Sequence, residues 1–203
     1  MTREAEKLDV VRRLVIVFDI CSSTAILEDL KRTDNFSRWR NLLIHLKKEL
    51  CNIADENGME IYKFIGDGWI LLLPPRLSKR LVCKFLDDIS HCYADRFDTT
   101  IRLVLEQRPP TEGLTFGIGR GDLIRITMNH RTEYLGRPIN VAARLQAGVK
   151  ALPGAPSYRA LFSLAAFNAL PGTAVAGEEV TIPARNIIGG ESYSCFLYQA
   201  KAT

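Results

Sequence analysis

The run Arg13 to Ile20, RLVIVFDI, constrains the fold more than any other segment, because apolar residues fill it without alternation until Asp19. A strand that is apolar on both faces has to be covered on both, which predicts a buried central strand ending at an acid. Downstream, MEIYKFIGDGWILLLPP sets two apolar runs on either side of Gly66-Asp67-Gly68. This is a hairpin signal, since Asp-Gly tolerates the positive φ of tight turns. Asp67 is then at a hairpin tip. Antiparallel neighbours in one sheet can bring such a tip against a strand end, so Asp19 and Asp67 are the two acids best placed to meet.

Helices and strands interleave through the rest of the chain. From Ser23 to about Asn57, the residues Ile26, Leu30, Trp39, Leu42, Leu43, Leu46, Leu50 and Ile53 recur at helical spacing. Ser22, Ser23 or Thr24 is available as a cap, and a break near Thr33 to Ser37 splits the segment in two. A helix is expected from about Leu77 to Ala94, TTIRLVLEQ is open between helix and strand, and GLTFGIGRGDLIRI reads as a strand, a turn and a second strand whose glycines signal close backbone approach. Pro138 to Lys150 has a helical pattern with Pro early. The tail offers a helix near Tyr158 to Ala169 and strands at TAVAGEEVTI and SCFLYQA. The class is α+β, with helices flanking one mixed, mainly antiparallel sheet. No repeat, low-complexity tract or linker divides it, so residues 1–203 are expected to form a single domain, with a core over about 11–150 and a C-terminal extension over 151–203.

Composition narrows the partners. A net charge of +4 with no long basic block suits a substrate bearing several phosphates and does not demand nucleic acid. The cysteines, Cys21, Cys51, Cys83, Cys92 and Cys195, are odd in number, scattered and never spaced C-x-x-C, which points to a reducing cytoplasm and against a disulfide framework or zinc knuckle. The first apolar stretch is interrupted by Arg12 and Arg13, unlike a signal peptide or a membrane span, so a soluble protein is expected.

Magnesium or manganese bound to phosphates takes one or two protein carboxylates and fills its shell with phosphate, water or carbonyl oxygen, so two acids suffice for such a site. The competing reading makes Asp67 a turn former and Asp19 a helix cap, and spacing alone does not choose between them. Between strand and helix, Ile20-Cys21-Ser22-Ser23-Thr24 offers free backbone N–H groups and the positive end of a helix dipole, which would bind phosphate. His45, His91 and His130 share no motif.

With these residues in place, FDICSST resembles the first metal motif of class III nucleotide cyclases, YKFIGDGWILL the second, and YLGRPINVAARLQ their transition-state motif, in matching order. GLTFGIGRGDL is similar to the strand between the last two. The resemblance, from about Arg13 to Lys150, implies a ferredoxin-like β-α-β-β-α-β core and a head-to-tail homodimer with active sites at the interface. It implies that Asp19 and Asp67 bind two ions, Mn²⁺ or Mg²⁺, with the Ile20 carbonyl completing one. The amides of Cys21, Ser22, Ser23 and Thr24 would hold the β- and γ-phosphates. Asn140 and Arg144, one helical turn apart, would come from the partner, Asn140 orienting the ribose and Arg144 stabilising charge at the α-phosphate.

In adenine-using members a Lys and an Asp read the base; here Lys63 matches the Lys and Glu133 stands at the Asp position. Hydrogen bonding leaves the base open, whereas the longer Glu suits a single ring. Phe18 stands where housekeeping members have a small residue, and Ile188-Gly189-Gly190 replaces a tail pattern holding a triphosphate-binding Lys, for which Arg185 or a partner residue would compensate. FDICSST and KFIGDGWILL are most similar to the uridylate cyclases of the Pycsar antiphage systems. That resemblance implies UTP as substrate, manganese dependence and cyclic UMP as a signal to a separate effector. The alternatives are an adenylate cyclase with Glu133 for Asp, a cyclase-like module that binds nucleotide without turnover, and an interaction domain with no site.

Overall fold

The computed structural model describes residues 8–183 and 192–202, so Arg185 and Ile188 to Gly190 lie outside the described residues. In chain order the elements are β1 (Asp9–Ile20), α1 (Ser23–Arg32), α2 (Phe36–Asn57), β2 (Glu60–Phe64), β3 (Gly68–Leu73) and α3 (Lys79–Thr100). They continue with β4 (Leu114–Met128), β5 (Arg131–Leu135), α4 (Arg137–Gly148), β6 (Arg159–Ser163), α5 (Leu164–Ala169), β7 (Glu178–Pro183) and β8 (Ser192–Gln199). The strands form one sheet of order β2-β3-β1-β4-β6-β8-β7, with β5 added to β4. Among the described residues only β4 and β6 pair in parallel. The first part, β1 to β4 with α1 and α2 as one crossover and α3 as the other, is the expected β-α-β-β-α-β core.

β1 is central and covered on both faces, as its lack of alternation requires. Leu14, Ile16, Phe18 and Ile20 point into the main core with Trp39, Leu46, Phe85 and Ile89 of the helices. Val15 and Val17 point the other way, towards Leu72, Leu123, Tyr134 and Ala142. Phe18, where the resemblance expected a small side chain, is fully buried and stacks on Trp69 with ring centroids 5.3 Å apart. That pairing is local, because Phe18 and Trp69 are register partners on β1 and β3.

The glycines of GLTFGIGRGDLIRI do not make a turn. β4 is one continuous strand, paired with β1 from Leu114↔Ile20 to Arg125↔Asp9. Its glycines form a bed for α4: a Cβ on Gly117 would lie 2.0 Å from the Ala142 carbonyl oxygen, and one on Gly119 would lie 2.6 Å from that of Pro138. The helix expected near Tyr158 to Ala169 is instead a strand and a short helix, β6 and α5. Ala160, Leu161 and Phe162 are buried in succession, which a strand covered on both faces accommodates and a one-sided helix does not. Ser163 then caps α5 by accepting from the Ala166 amide at 3.1 Å. TTIRLVLEQ completes α3 and a 3₁₀ turn over Arg102–Val104, with no strand, and of TAVAGEEVTI only the part from Glu178 pairs.

Gly117→Ala is expected to force α4 from the sheet at a cost of about 1–3 kcal/mol or more, the usual penalty of overpacking. Urea unfolding of the variant against the wild type measures it, and an unchanged midpoint would contradict the close contact.

Candidate active site

The end of β1 and the start of β3 meet because Gly68 has no side chain. Asp19 and Gly68 are register partners, and a Cβ on Gly68 would lie 2.0 Å from the Phe18 carbonyl oxygen and 3.0 Å from the Asp19 Cα. The connecting turn is closed by the Ile65 amide donating to the Gly68 carbonyl at 3.0 Å, and Gly66 takes φ +103° within it. One glycine thus bends the hairpin and the other lets it approach. Asp67, between them, comes within hydrogen-bond reach of the Asp19 carboxyl. Burial first, then the charge of Asp67 and the hydrogen bond with it, push the Asp19 carboxyl up to about 6. The charge of Lys150 and the backbone of Ile20 pull the other way. Two carboxyl groups held together, with oxygen donors only, fit a hard divalent cation, which would relieve their mutual repulsion. Among the described residues no cluster of three or more His, Cys, Asp or Glu could hold a metal, so any ion here has a carboxylate pair and takes its remaining ligands from substrate, water or backbone.

Beside the pair, α1 begins at Ser23. Ser22 is its N-cap, with φ 54° and no side-chain cap. Its hydroxyl instead accepts from the Thr111 amide at 3.2 Å, so the first-turn amides, including those of Ser23 and Thr24, are left for another acceptor. Cys21 departs from this pattern. Its amide donates to the Gly113 carbonyl at 2.8 Å and is already used in closing β1 onto β4. Burial pushes its thiol up to about 12.

Lys63 and Glu133 also meet, on β2 and β5, with Nζ 3.3 Å from Oε2. Tyr62 donates its hydroxyl to the same oxygen and accepts from the Tyr134 amide at 3.1 Å. The two hydrogen bonds, Tyr62 first, hold the Glu133 carboxyl below its usual range, so it is a carboxylate and an acceptor. Neighbours in a regular strand face opposite ways; here the β2–β3 register shifts between Ile61 and Lys63, and this bulge lets Tyr62 and Lys63 reach one carboxylate.

Asn140 and Arg144 are exposed, on the side of α4 opposite its buried residues Pro138, Ala142, Leu145 and Gln146. Among the described residues neither has a hydrogen-bond or ion-pair partner. α4 starts over Gly119, the partner of Val15, and reaches the level of Asp19 only near Gln146, whose Nε2 donates to Thr115 Oγ1 at 2.7 Å. Asn140 therefore lies beside the middle of β1, on the order of 13 Å along the strand from Asp19 at about 3.3 Å per residue. One chain thus carries three groups: the carboxylate pair with the α1 N-terminus, the Lys63–Glu133 pair, and the outward Asn140 and Arg144.

No family model matches the sequence, and no curated protein matches it. Solved structures do. The guanylyl cyclase Cya2 aligns at TM-score 0.71 and 16% identity over 94% of this chain and 93% of its own. The adenylyl cyclase CyaB of P. aeruginosa aligns at 0.62 and 18% over 95% of each chain. The catalytic core of a rhodopsin-guanylyl cyclase with converted specificity, in complex with ATPalphaS, aligns at 0.67 and 16% over 96% of this chain and 99% of its own. The chain has the fold of the nucleotide cyclases. Within this cyclase fold, sequence reasoning missed Tyr62, Gly113 and Gln146, because each acts through a strand bulge, a loop carbonyl or a helix crossing that no local pattern encodes. No described helix is long and apolar enough to cross a membrane.

The carboxylate pair makes stability depend on pH and on cations. The folded Asp19 carboxyl titrates near 6 against an ordinary 3.8, so the folded chain binds the extra proton between them. Metal-free stability from this group is therefore present below about 3.8 and lost as pH rises through about 6. Thermal melts without divalent ions should show this loss, and Asp67→Asn, which removes the neighbouring charge, should reduce it. At pH 7, Mn²⁺ should raise the wild-type melting temperature and leave that of Asp19→Asn unchanged.

Proposed function

We propose that this protein is a nucleotide cyclase that converts a nucleoside triphosphate, UTP, to its 3′,5′-cyclic monophosphate and pyrophosphate. The observation that carries the reading is the pairing of Asp19 with Asp67 beside an uncapped helix N-terminus. Divalent cations bound there supply activation of the 3′-hydroxyl and neutralisation of the phosphates. Asp19 and Asp67, with the Ile20 carbonyl, are the residues that would hold them. The amides of Ser22, Ser23 and Thr24 take the β- and γ-phosphates; Cys21, whose amide is engaged, shapes the loop. The 3′-oxygen attacks the α-phosphorus in line, the bond to the bridging oxygen breaks, pyrophosphate leaves, and the hydroxyl proton passes to solvent.

Asn140 and Arg144 orient the ribose and meet charge at the α-phosphate. Their exposure and their lack of partners among the described residues support delivery to the site of a second copy, so the working form is a homodimer with two shared sites. Lys63 donates to a base carbonyl and the ionised Glu133 accepts a base N–H, a pattern that uracil satisfies through O4 and N3 and guanine through O6 and N1. The longer reach of Glu133, where adenine-using members carry Asp, suits a single-ring base and supports UTP over ATP. Cyclic UMP made in the cytoplasm would then signal to a separate effector, as in Pycsar antiphage defence.

A panel of the four nucleoside triphosphates with Mn²⁺ tests the substrate: cyclic UMP should dominate, and dominant cyclic AMP would select the adenylate cyclase reading. Asp67→Ala should abolish product with the dimer intact. The shared site has its own test, since mixing inactive Asp67→Ala and Arg144→Ala chains should restore about a quarter of wild-type activity through heterodimers with one complete site. No recovery after subunit exchange would place Arg144 outside a shared site.

A further inference from the structure

Lys150 stands at the carboxylate end of the sheet and has no place in the roles above. Gln146, fixed by its bond to Thr115, sits at the level of Asp19, because Thr115 is the β4 partner of Asp19. Lys150 follows four residues later, in a 3₁₀ turn over Val149–Ala151 that continues α4. One further turn advances the chain about 6 Å. This carries it past Asp19 towards Ile20 and Cys21, where Leu114 and Gly113 close β4 against the end of β1. Val149 anchors the turn, fully buried with Leu145, Leu161 and Ile182, whereas Lys150 is exposed. Its ammonium acts electrostatically on both Asp19 and Cys21, and no described carboxylate lies within ion-pair distance of it.

We infer that Lys150 binds the β- and γ-phosphates of the substrate, from the same chain that supplies Asp19, Asp67 and the α1 N-terminus. The inference deepens the proposed function and rests on it for the identity of the ligand. Charge favours it. A bound triphosphate adds several negative charges next to two carboxylates, more than two divalent cations neutralise, and the helix N-terminus contributes only about half a charge. A full positive charge at the exposed rim is the complement that the triphosphate calls for. Lysine suits this place because its ammonium is a compact point charge that can follow the phosphates as pyrophosphate forms and departs.

Calorimetric titration of the intact dimer with inorganic tripolyphosphate in the presence of Mn²⁺ tests this apart from turnover. Lys150→Gln should weaken tripolyphosphate about tenfold or more, the scale of a charge-assisted hydrogen bond. Lys150→Arg should retain most of the affinity, and uridine, which has no phosphate, should bind all three proteins alike. In turnover, Lys150→Gln should raise KM for the nucleotide more than it lowers kcat. Unchanged tripolyphosphate affinity in Lys150→Gln would overturn the inference while leaving the cyclase reading intact. Equal losses in Lys150→Gln and Lys150→Arg would overturn it too, by showing a structural role. If wild type binds tripolyphosphate through Lys150 but cyclises no nucleotide, the inference stands and the proposed function fails.

Discussion

The contact of Gly68 with the backbone of Phe18 and Asp19 is the constraint on which the candidate site depends. A side chain there would overlap the Phe18 carbonyl, so β3 could pair with β1 only by moving away, and the hairpin tip would move with it. Asp67 would then leave Asp19, and the two acids would revert to a turn residue and a lone strand-end carboxyl. The contact is supported from below by the Phe18–Trp69 stack, which fixes the register one residue pair further along the same two strands. Core packing and site geometry are coupled here across a single step of the sheet.

α4 is placed by the same device. Glycines at 117 and 119 let its backbone lie on β4, which sets where the helix crosses and therefore where each of its residues falls along β1. The buried Gln146–Thr115 bond pins the crossing at the level of Asp19. Buried polar pairs of this kind contribute little net stability but specify one arrangement over its neighbours. Shifting α4 by one turn would exchange the surroundings of Asn140, Arg144 and Lys150 together.

How much was legible in the sequence follows from the range of the interactions. RLVIVFDI and the Gly-Asp-Gly hairpin were readable because burial on both faces and turn chemistry are written in consecutive residues. The glycines of β4 signal the close backbone approach that α4 makes, but not that the strand runs on unbroken, since a strand lying under a helix and a turn both call for missing side chains and only the third dimension separates them. RALFS reads as helix in the sequence because a short apolar run has no period to distinguish it from a buried strand. At the site, Asp19, Asp67, Lys63 and Glu133 were named from motifs, and the structure joins them in two pairs. The Cys21 amide belongs by motif with the phosphate donors, yet it serves a backbone contact with Gly113, a residue far away in sequence. Tyr62 needed the β2 bulge, which is invisible in EIYKF.

The electrostatics of the candidate site turn on the closeness of its two carboxylates. Two carboxylates held within hydrogen-bond reach repel each other unless one takes a proton or a cation intervenes, and burial first, then that conflict, raises the Asp19 carboxyl. The arrangement costs stability in the absence of a cation, so it is maintained by packing that surrounds it: the aromatic stack under β1, the glycine contact and the closure of Cys21 onto Gly113. On the proposed function, the same conflict would couple cation and polyphosphate binding, because each would lower the cost of the other. Glu133 is held in the opposite condition, with a phenol and an ammonium bonded to one oxygen so that it remains ionised at any ordinary pH. Two acids in one small domain thus have opposite tendencies, one towards a cation and one towards a neutral N–H donor, and on the proposed function that difference separates the chemistry at the phosphates from the choice of base.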